Sequence, residues 1–427
     1  MRRILSALLL LTACGARTGL REASDAAVDV PPPPPANGCS SAISGATPMR
    51  GYCSTRAHLA PQPAPTAPTL GWQLALATDF QPIEMVVDDA GRTYLTIDTM
   101  RGDDAVIPHA VVVVGVNGAQ LAQHDFSPAP VGNLFLGRDG ALRATVGVFP
   151  RTLVRIDASA NVTTLSPLPH DAFRFAIASD GSLVSSTVNF HDPDRVVRVA
   201  QDGTVMWTSP PIDDGTCGGC LTDVALASDD RIVIATYTLA DGTTMYGLDP
   251  ADGSFSWQLH VDGLVTEGPG IALDGSIRLV TGVTDGAMVP TTIVTAISPD
   301  GVQLWQTRLD EDYEQTWDDA LPIASDGACF VHTFHSLLAI DASGSQRWRI
   351  DTPTNLYYDA AIDASGTLLA LYGPLHGLDA QTGLERWHVD GPPPIVGFAY
   401  VTNFVLGPHG CVVGASHGGE IFSACDP

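Results

Sequence analysis

Cysteine carries the most chemical potential in this 427-residue chain. Cys217-Gly-Gly-Cys220 has the spacing of a redox pair or of half a metal site. Both readings need partners that the sequence does not offer: there is no second Cys-x-x-Cys, no His pair at ligand spacing, and no alternation of strands and helices around the motif. A structural loop disulfide is the more economical reading. Two further pairs suggest themselves: Cys39 with Cys53, which bracket a short loop, and Cys411 with Cys425, which flank His417-Gly-Gly419 and would pin a final hairpin. Cys329 is then the odd thiol, placed on a buried strand.

Carboxylates form the second chemical group. Asp223, Glu267, Asp319 and Asp359 each stand just before an apolar segment, Arg174 occupies a similar place, and Trp317, Tyr357 and Tyr358 accompany them. Brought together, they would focus negative potential on a cation or a basic partner segment. Left apart, they are a solvated rim. No Ser-His-Asp signature, phosphate-binding glycine loop or helix-borne metal motif stands beside them, and His332 and His335 flank a strand rather than share a helical face.

The elements that must position these residues are repeats. Gly-x-x-x-Trp recurs at Gly203/Trp207, Gly253/Trp257, Gly301/Trp305, Gly344/Trp348 and Gly383/Trp387, with degenerate copies at Gly118/Ala122 and Ala160/Thr164. Between these turns lies a strand, an Asp-Gly-like turn and another strand, as in Ile177-Ala-Ser-Asp-Gly-Ser-Leu-Val184. Eight such units centre on Gly91, Gly140, Gly181, Asp230, Gly275, Gly327, Gly366 and Gly410. Their mean spacing of roughly 45 residues is the length of one four-stranded propeller blade. The spacing therefore predicts an all-β fold, an eight-bladed β-propeller of four-stranded blades. The outer strand missing from the last blade is supplied by Gly71-Trp72-Gln-Leu-Ala-Leu76, so the N-terminal strand joins the last blade, closes the ring and removes exposed sheet edges. Periodic recurrence assigns the tryptophans to packing between blades rather than to ligand stacking. The carboxylates named above then fall near one mouth of the central channel.

The N-terminus reads separately. Met1-Arg-Arg, an apolar run from Ile4 to Leu11 and Leu11-Thr-Ala-Cys14-Gly have the form of a secretory signal, too short to span a bilayer. Leu-Thr-Ala-Cys resembles the lipobox of bacterial lipoproteins, which implies cleavage after residue 13 and lipid on Cys14. Residues 14–36, ending in Pro31 to Pro35, read as an extended tether. Residues 37–70 read as a cysteine-containing lead-in, and 71–427 as the propeller. A net charge of -26 argues against nucleic acid as a partner. Much of the acid has a local use, since Asp recurs in the turns, where its side chain caps backbone groups.

Ala339-Ile-Asp-Ala-Ser-Gly-Ser-Gln-Arg-Trp348 and Gly377-Leu-Asp-Ala-Gln-Thr-Gly-Leu-Glu-Arg-Trp387 resemble the repeats of the pyrroloquinoline-quinone-like propeller family. Within it, the chain looks most like the eight-bladed, lipid-anchored members of the outer-membrane assembly type. That resemblance implies a non-enzymatic protein-binding or scaffold module without a cofactor, held to the envelope membrane by its lipid and to an envelope protein or other macromolecule by its face loops. The alternatives are a quinone-dependent oxidoreductase, for which alone pyrroloquinoline quinone and calcium are expected, and a carbohydrate-binding or sensing module. The family's dehydrogenases carry adjacent cysteines, whereas Cys217 and Cys220 are separated by two glycines.

Overall fold

A computed structural model describes Met49, Thr55 and residues 57–427 apart from 77–83, 98–108, 138, 149, 158–160, 170–171, 188–192, 213–220, 239–241, 285–289, 312–320, 353–359, 373, 391–400 and 417–418. Among the described residues the only helix is a 3-10 turn, Pro408–Gly410; everything else regular is strand. The strands make eight sheets arranged in a ring, the eight-bladed propeller expected from the repeat count. Blade 1 shows the plan: Met85–Val87, Thr93–Ile97, Ala110–Val114 and Gln120–Asp125 follow one another outward as an antiparallel meander.

Side-chain alternation explains why such sheets stack face to face. Along blade 1, Met85, Val87, Leu95, Val112 and Val114 pack against blade 8, while Val86, Tyr94, Val111 and Val113 pack against blade 2. Successive side chains of a strand point to opposite faces, so a strand buried on both sides reads as a continuous apolar run such as Ala110-Val-Val-Val-Val114. The outermost strands have one edge in solvent and alternate instead, as in Phe255–Val261.

Two blades depart from the plan. Blade 6 is a three-stranded sheet of Cys329–His332, Ser336–Ile340 and Gln346–Asp351, its innermost strand reduced to a single bridge from Ile323 to Cys329. Blade 7 has five strands, because Leu59–Ala60 pairs in parallel with its inner strand Ala360–Asp363.

Ring closure uses both ends of the chain. In blade 8, Val401–Leu406, Val412–Ser416 and Glu420–Cys425 are completed by Thr69–Ala75, which pairs antiparallel with Glu420–Cys425. A disulfide joins Cys411 to Cys425 across adjacent strands of that blade. Thr66 and Ala67 donate their N–H groups to the Asp426 carboxylate, at 2.9 and 2.7 Å. Cys329 is a free buried thiol, and burial pushes its pKa up to about 12, which makes it inert.

The tryptophans form a belt. Trp72, Trp207, Trp257, Trp305 and Trp348 each dock on the turn glycine of the following blade: a Cβ added to Gly301 would lie 2.5 Å from the Trp257 ring, and one added to Gly118 would lie 2.7 Å from Trp72. Glycine is required there for contact and for backbone, since Gly301 has φ of 79°. The indole N–H then donates to a carbonyl of the same turn: Trp207 to Pro250, Trp257 to Pro299, Trp305 to Ala342 and Trp348 to Ala380, all at 2.8–3.0 Å. The Trp72 contact carries the belt from blade 8 to blade 1. Trp387 is the exception: its N–H is buried and has no partner among the described residues. Blade 8 explains this, because its outer two strands are joined by the meeting of the chain ends rather than by a turn, so the accepting carbonyl does not exist.

Candidate functional site: the axial channel

The innermost strand of a blade has no strand on its axial side, so backbone groups that point at the axis must find other partners. Part of the lead-in supplies them. Met49 forms an antiparallel bridge to Phe135 on the inner strand of blade 2, Val131–Leu136. The carbonyls of Thr55, Ala57 and His58 then accept from the N–H groups of Ile271, Ile323 and Ile362, at 2.9, 2.8 and 2.9 Å. These isoleucines sit at one repeated place in blades 5, 6 and 7, each four residues before the inner-turn glycine Gly275, Gly327 or Gly366. Leu59 and Ala60 continue in parallel along blade 7, opposite Ile362 and Asp363. The Ala64 N–H donates to Asp363 Oδ2 at 2.5 Å, before the chain reaches blade 8 at Thr66.

This axial strap also joins the cores. Met49 packs into the core between blades 2 and 3, Ala57 and Leu59 into that of blades 5 to 7, and Ala60 and Ala64 into that of blades 7 and 8. All five are at most 5% exposed. Burying a Leu or Met contributes about 1.5–3 kcal/mol, whereas the alanines contribute mainly by letting the backbone come close. His58 is buried with φ of 45°, a left-handed conformation unusual for a residue with a side chain, and its Nδ1 lies 3.1 Å from the Ala360 carbonyl.

Of the carboxylates proposed for the channel mouth, Asp223 and Glu267 are each 2% exposed, so neither belongs to a solvated rim. Glu267 accepts from the His332 backbone N–H at 3.2 Å, tying the inner strand of blade 5 to blade 6. Glu84 does the same between blades 1 and 2, accepting from the Leu134 N–H at 2.5 Å. His332 is fully buried, and burial lowers its pKa to about 4, so its ring is neutral at physiological pH. Arg174 falls on the inner strand of blade 3, Ala172–Ile177. Asp319, Asp359, Trp317, Tyr357 and Tyr358 lie outside the described residues, as do Cys14, Cys39, Cys53, Cys217 and Cys220.

The end of the ring that carries the hairpin turns is rich in acid put to local use. Asp180 and Asp274 accept from the backbone N–H and hydroxyl of Ser182 and Ser276. Burial alone would raise their pKa values, but these bonds outweigh it and hold both carboxyls below the ordinary range. Asp379, held chiefly by the Arg386 guanidinium, is drawn down to about 2. Inter-blade arginine clamps lie among them: the Arg198 guanidinium donates to the Pro250 carbonyl at 2.7 Å, and that of buried Arg278 to the Gly327 carbonyl at 3.4 Å.

Residues 290–423, from the third strand of blade 5 into blade 8, match a family model described as outer membrane protein assembly factor BamB. No curated protein sequence matches the chain. Among solved structures, BamB from Moraxella catarrhalis is 14% identical over 84% of this chain and 100% of its own, with a TM-score of 0.52. A europium-containing methanol dehydrogenase is 11% identical over 90% of this chain and 98% of its own, with a TM-score of 0.59. The quinohemoprotein alcohol dehydrogenase from Comamonas testosteroni is 10% identical over 88% and 80%, with a TM-score of 0.58. At these identities the structural likeness is one of fold.

A calcium ion takes six to eight oxygen ligands. Among the described residues no group of three His, Cys, Asp or Glu side chains could hold a metal ion, and Glu267 already bonds a neighbouring backbone. Sequence reasoning missed the strap residues Thr55, Ala57, His58, Leu59, Ala60 and Ala64, and also Glu84. A signal was present in the apolar residues of a segment set aside as a lead-in, Ala57, Leu59, Ala60 and Ala64 among prolines.

Proposed function

We propose that this chain, a propeller of the pyrroloquinoline-quinone-like repeat family, is a non-enzymatic scaffold that binds a protein at the bacterial cell envelope and is anchored there by lipid on Cys14. The observation that carries this reading is the strap. At the end of the axis where the inner hairpins turn, the wall is bonded to the chain's own backbone at Ile271, Ile323 and Ile362 and sealed by Ala57, Leu59 and Ala60. With the strap seated, that end of the axis offers a partner main-chain groups and surface rather than a small-molecule pocket. The BamB family match over residues 290–423 supports the envelope assignment.

Three experiments test the reading. Purified protein titrated with pyrroloquinoline quinone and calcium is expected to form no stoichiometric complex and to reduce no dye; a complex with dye-reducing activity overturns the scaffold in favour of an oxidoreductase. Labelling of cells with a fatty-acid analogue is expected to mark the native chain and not Cys14→Ala, and equal labelling of the two removes the anchor. Affinity capture from envelope extracts should then recover a partner, with Asp319→Ala and Asp359→Ala as probes of the channel mouth.

A further inference from the structure

We infer that the axial wall of blades 5 to 7 is a binding site for a peptide segment with small side chains, which the strap fills in the isolated chain and which a like segment of a partner protein can fill in its place. This rests on the partner-binding reading above and names the site and the chemistry of the segment.

The wall presents main-chain donors to a segment that crosses it, with a two-residue parallel ladder on blade 7. Three N–H groups, those of Ile271, Ile323 and Ile362, point at the axis from equivalent places in adjacent blades, and each is satisfied by a carbonyl of the strap, at Thr55, Ala57 and His58. Main-chain bonds of this kind supply affinity, and the close-fitting places for side chains supply selectivity. Ala57 and Ala60 occupy two such places, at 3% and 0% exposure, so the wall admits small residues there. Farther along, Asp363 and Asp426 accept N–H groups from Ala64, Thr66 and Ala67. The fitting segment therefore turns as the strap does at His58, is small at the two alanine places, and keeps N–H groups free to donate where Ala64, Thr66 and Ala67 stand.

Three properties make the strap replaceable where the blades are not. Its ladder is only two residues long, because Pro61, Pro63 and Pro65 have no N–H to continue it. Its apolar contacts in this stretch come mostly from alanines, whereas each blade sheet is cross-linked by long antiparallel ladders and large side chains. His58, in the middle, holds the left-handed φ of 45°, a strain that leaving the wall would release.

Two measurements on the full-length protein decide it. By hydrogen exchange, the amides of Ile271, Ile323 and Ile362 are expected to exchange about 100-fold faster than the ladder amides of Val294 and Leu338 in blades 5 and 6, because the strap opens without the blades. Exchange at the ladder rate overturns the inference. In a second measurement, a fluorescein-labelled peptide of residues 55–67 is titrated into the native chain and into the double variant Ala57→Asp, Ala60→Asp, whose own strap is weakened. The variant is expected to bind about tenfold more tightly than the native chain. A variant with intact sheet structure that binds no peptide overturns the inference, as does a strap-exchanged dimer, which assigns the wall to a second copy. The hydrogen-exchange result stands even if the variant does not fold. Neither assay needs a partner, so both can fail while the capture experiment succeeds.

Discussion

The outer belt and the axis of this propeller hold the same eight blades together by opposite means. On the outside, one contact is repeated: a tryptophan packs on the next blade's turn glycine and donates to its carbonyl, with Trp72 carrying the contact across the closure. At the axis, a single irregular segment touches blades 2, 5, 6, 7 and 8, each through different residues. The belt is periodic because every pair of neighbouring blades poses the same problem. The strap is aperiodic because it crosses the inner strands rather than continuing them. Repeats build the ring, and one departure from repetition bonds its inner strands at the axis.

Breaking the belt should cost most. Gly301→Val places a side chain against the Trp257 ring at a φ of 79°, and is expected to lower unfolding free energy by about 4 kcal/mol in urea titration. Next is the closure. Replacing both Cys411 and Cys425 by Ser, with 14 residues of separation, should cost about 3 kcal/mol, read as a lower denaturation midpoint that matches the native protein under reducing conditions.

A finer comparison lies within the belt. Trp348→Phe loses the bond to the Ala380 carbonyl, while Trp387→Phe loses none, so the first should destabilise by about 1 kcal/mol more than the second. Equal effects would show that the indole N–H bonds do not hold the blades.

The pH dependence also separates the two regions. His332, against the inner wall, has a folded pKa of about 4 beneath its ordinary value of 6.5. The unfolded chain therefore binds a proton that the folded one refuses, and stability is lost as pH falls from about 6.5 to 4. Asp379 in the outer turn has a folded pKa of about 2 against 3.8, so its contribution persists above about pH 4 and is lost between 4 and 2. Thermal melts across this range should fall in two stages, and His332→Gln should reduce the upper one, to which His124 and His376, also lowered by burial, contribute.

Much of the ring was legible in sequence for physical reasons. A turn that needs positive φ demands Gly, a blade contact that needs a large flat apolar side chain demands Trp, and both recur in every repeat that keeps them. Trp72 was readable because it fills a gap in that series. The strap was not, since its alanines, one leucine and prolines satisfy backbone groups whose need appears only when eight inner strands face one axis. The buried state of Glu267 was equally hidden: a carboxylate before an apolar strand reads as exposed until the neighbouring blade supplies the His332 N–H.

Methyl-labelled nuclear magnetic resonance offers the most direct test of the self-filled axis. The account predicts cross-relaxation between the Leu59 methyls and those of Ile323 and Ile362, with which Leu59 shares a buried core. Leu59 methyls at random-coil shifts, with no contact to either isoleucine, would contradict it.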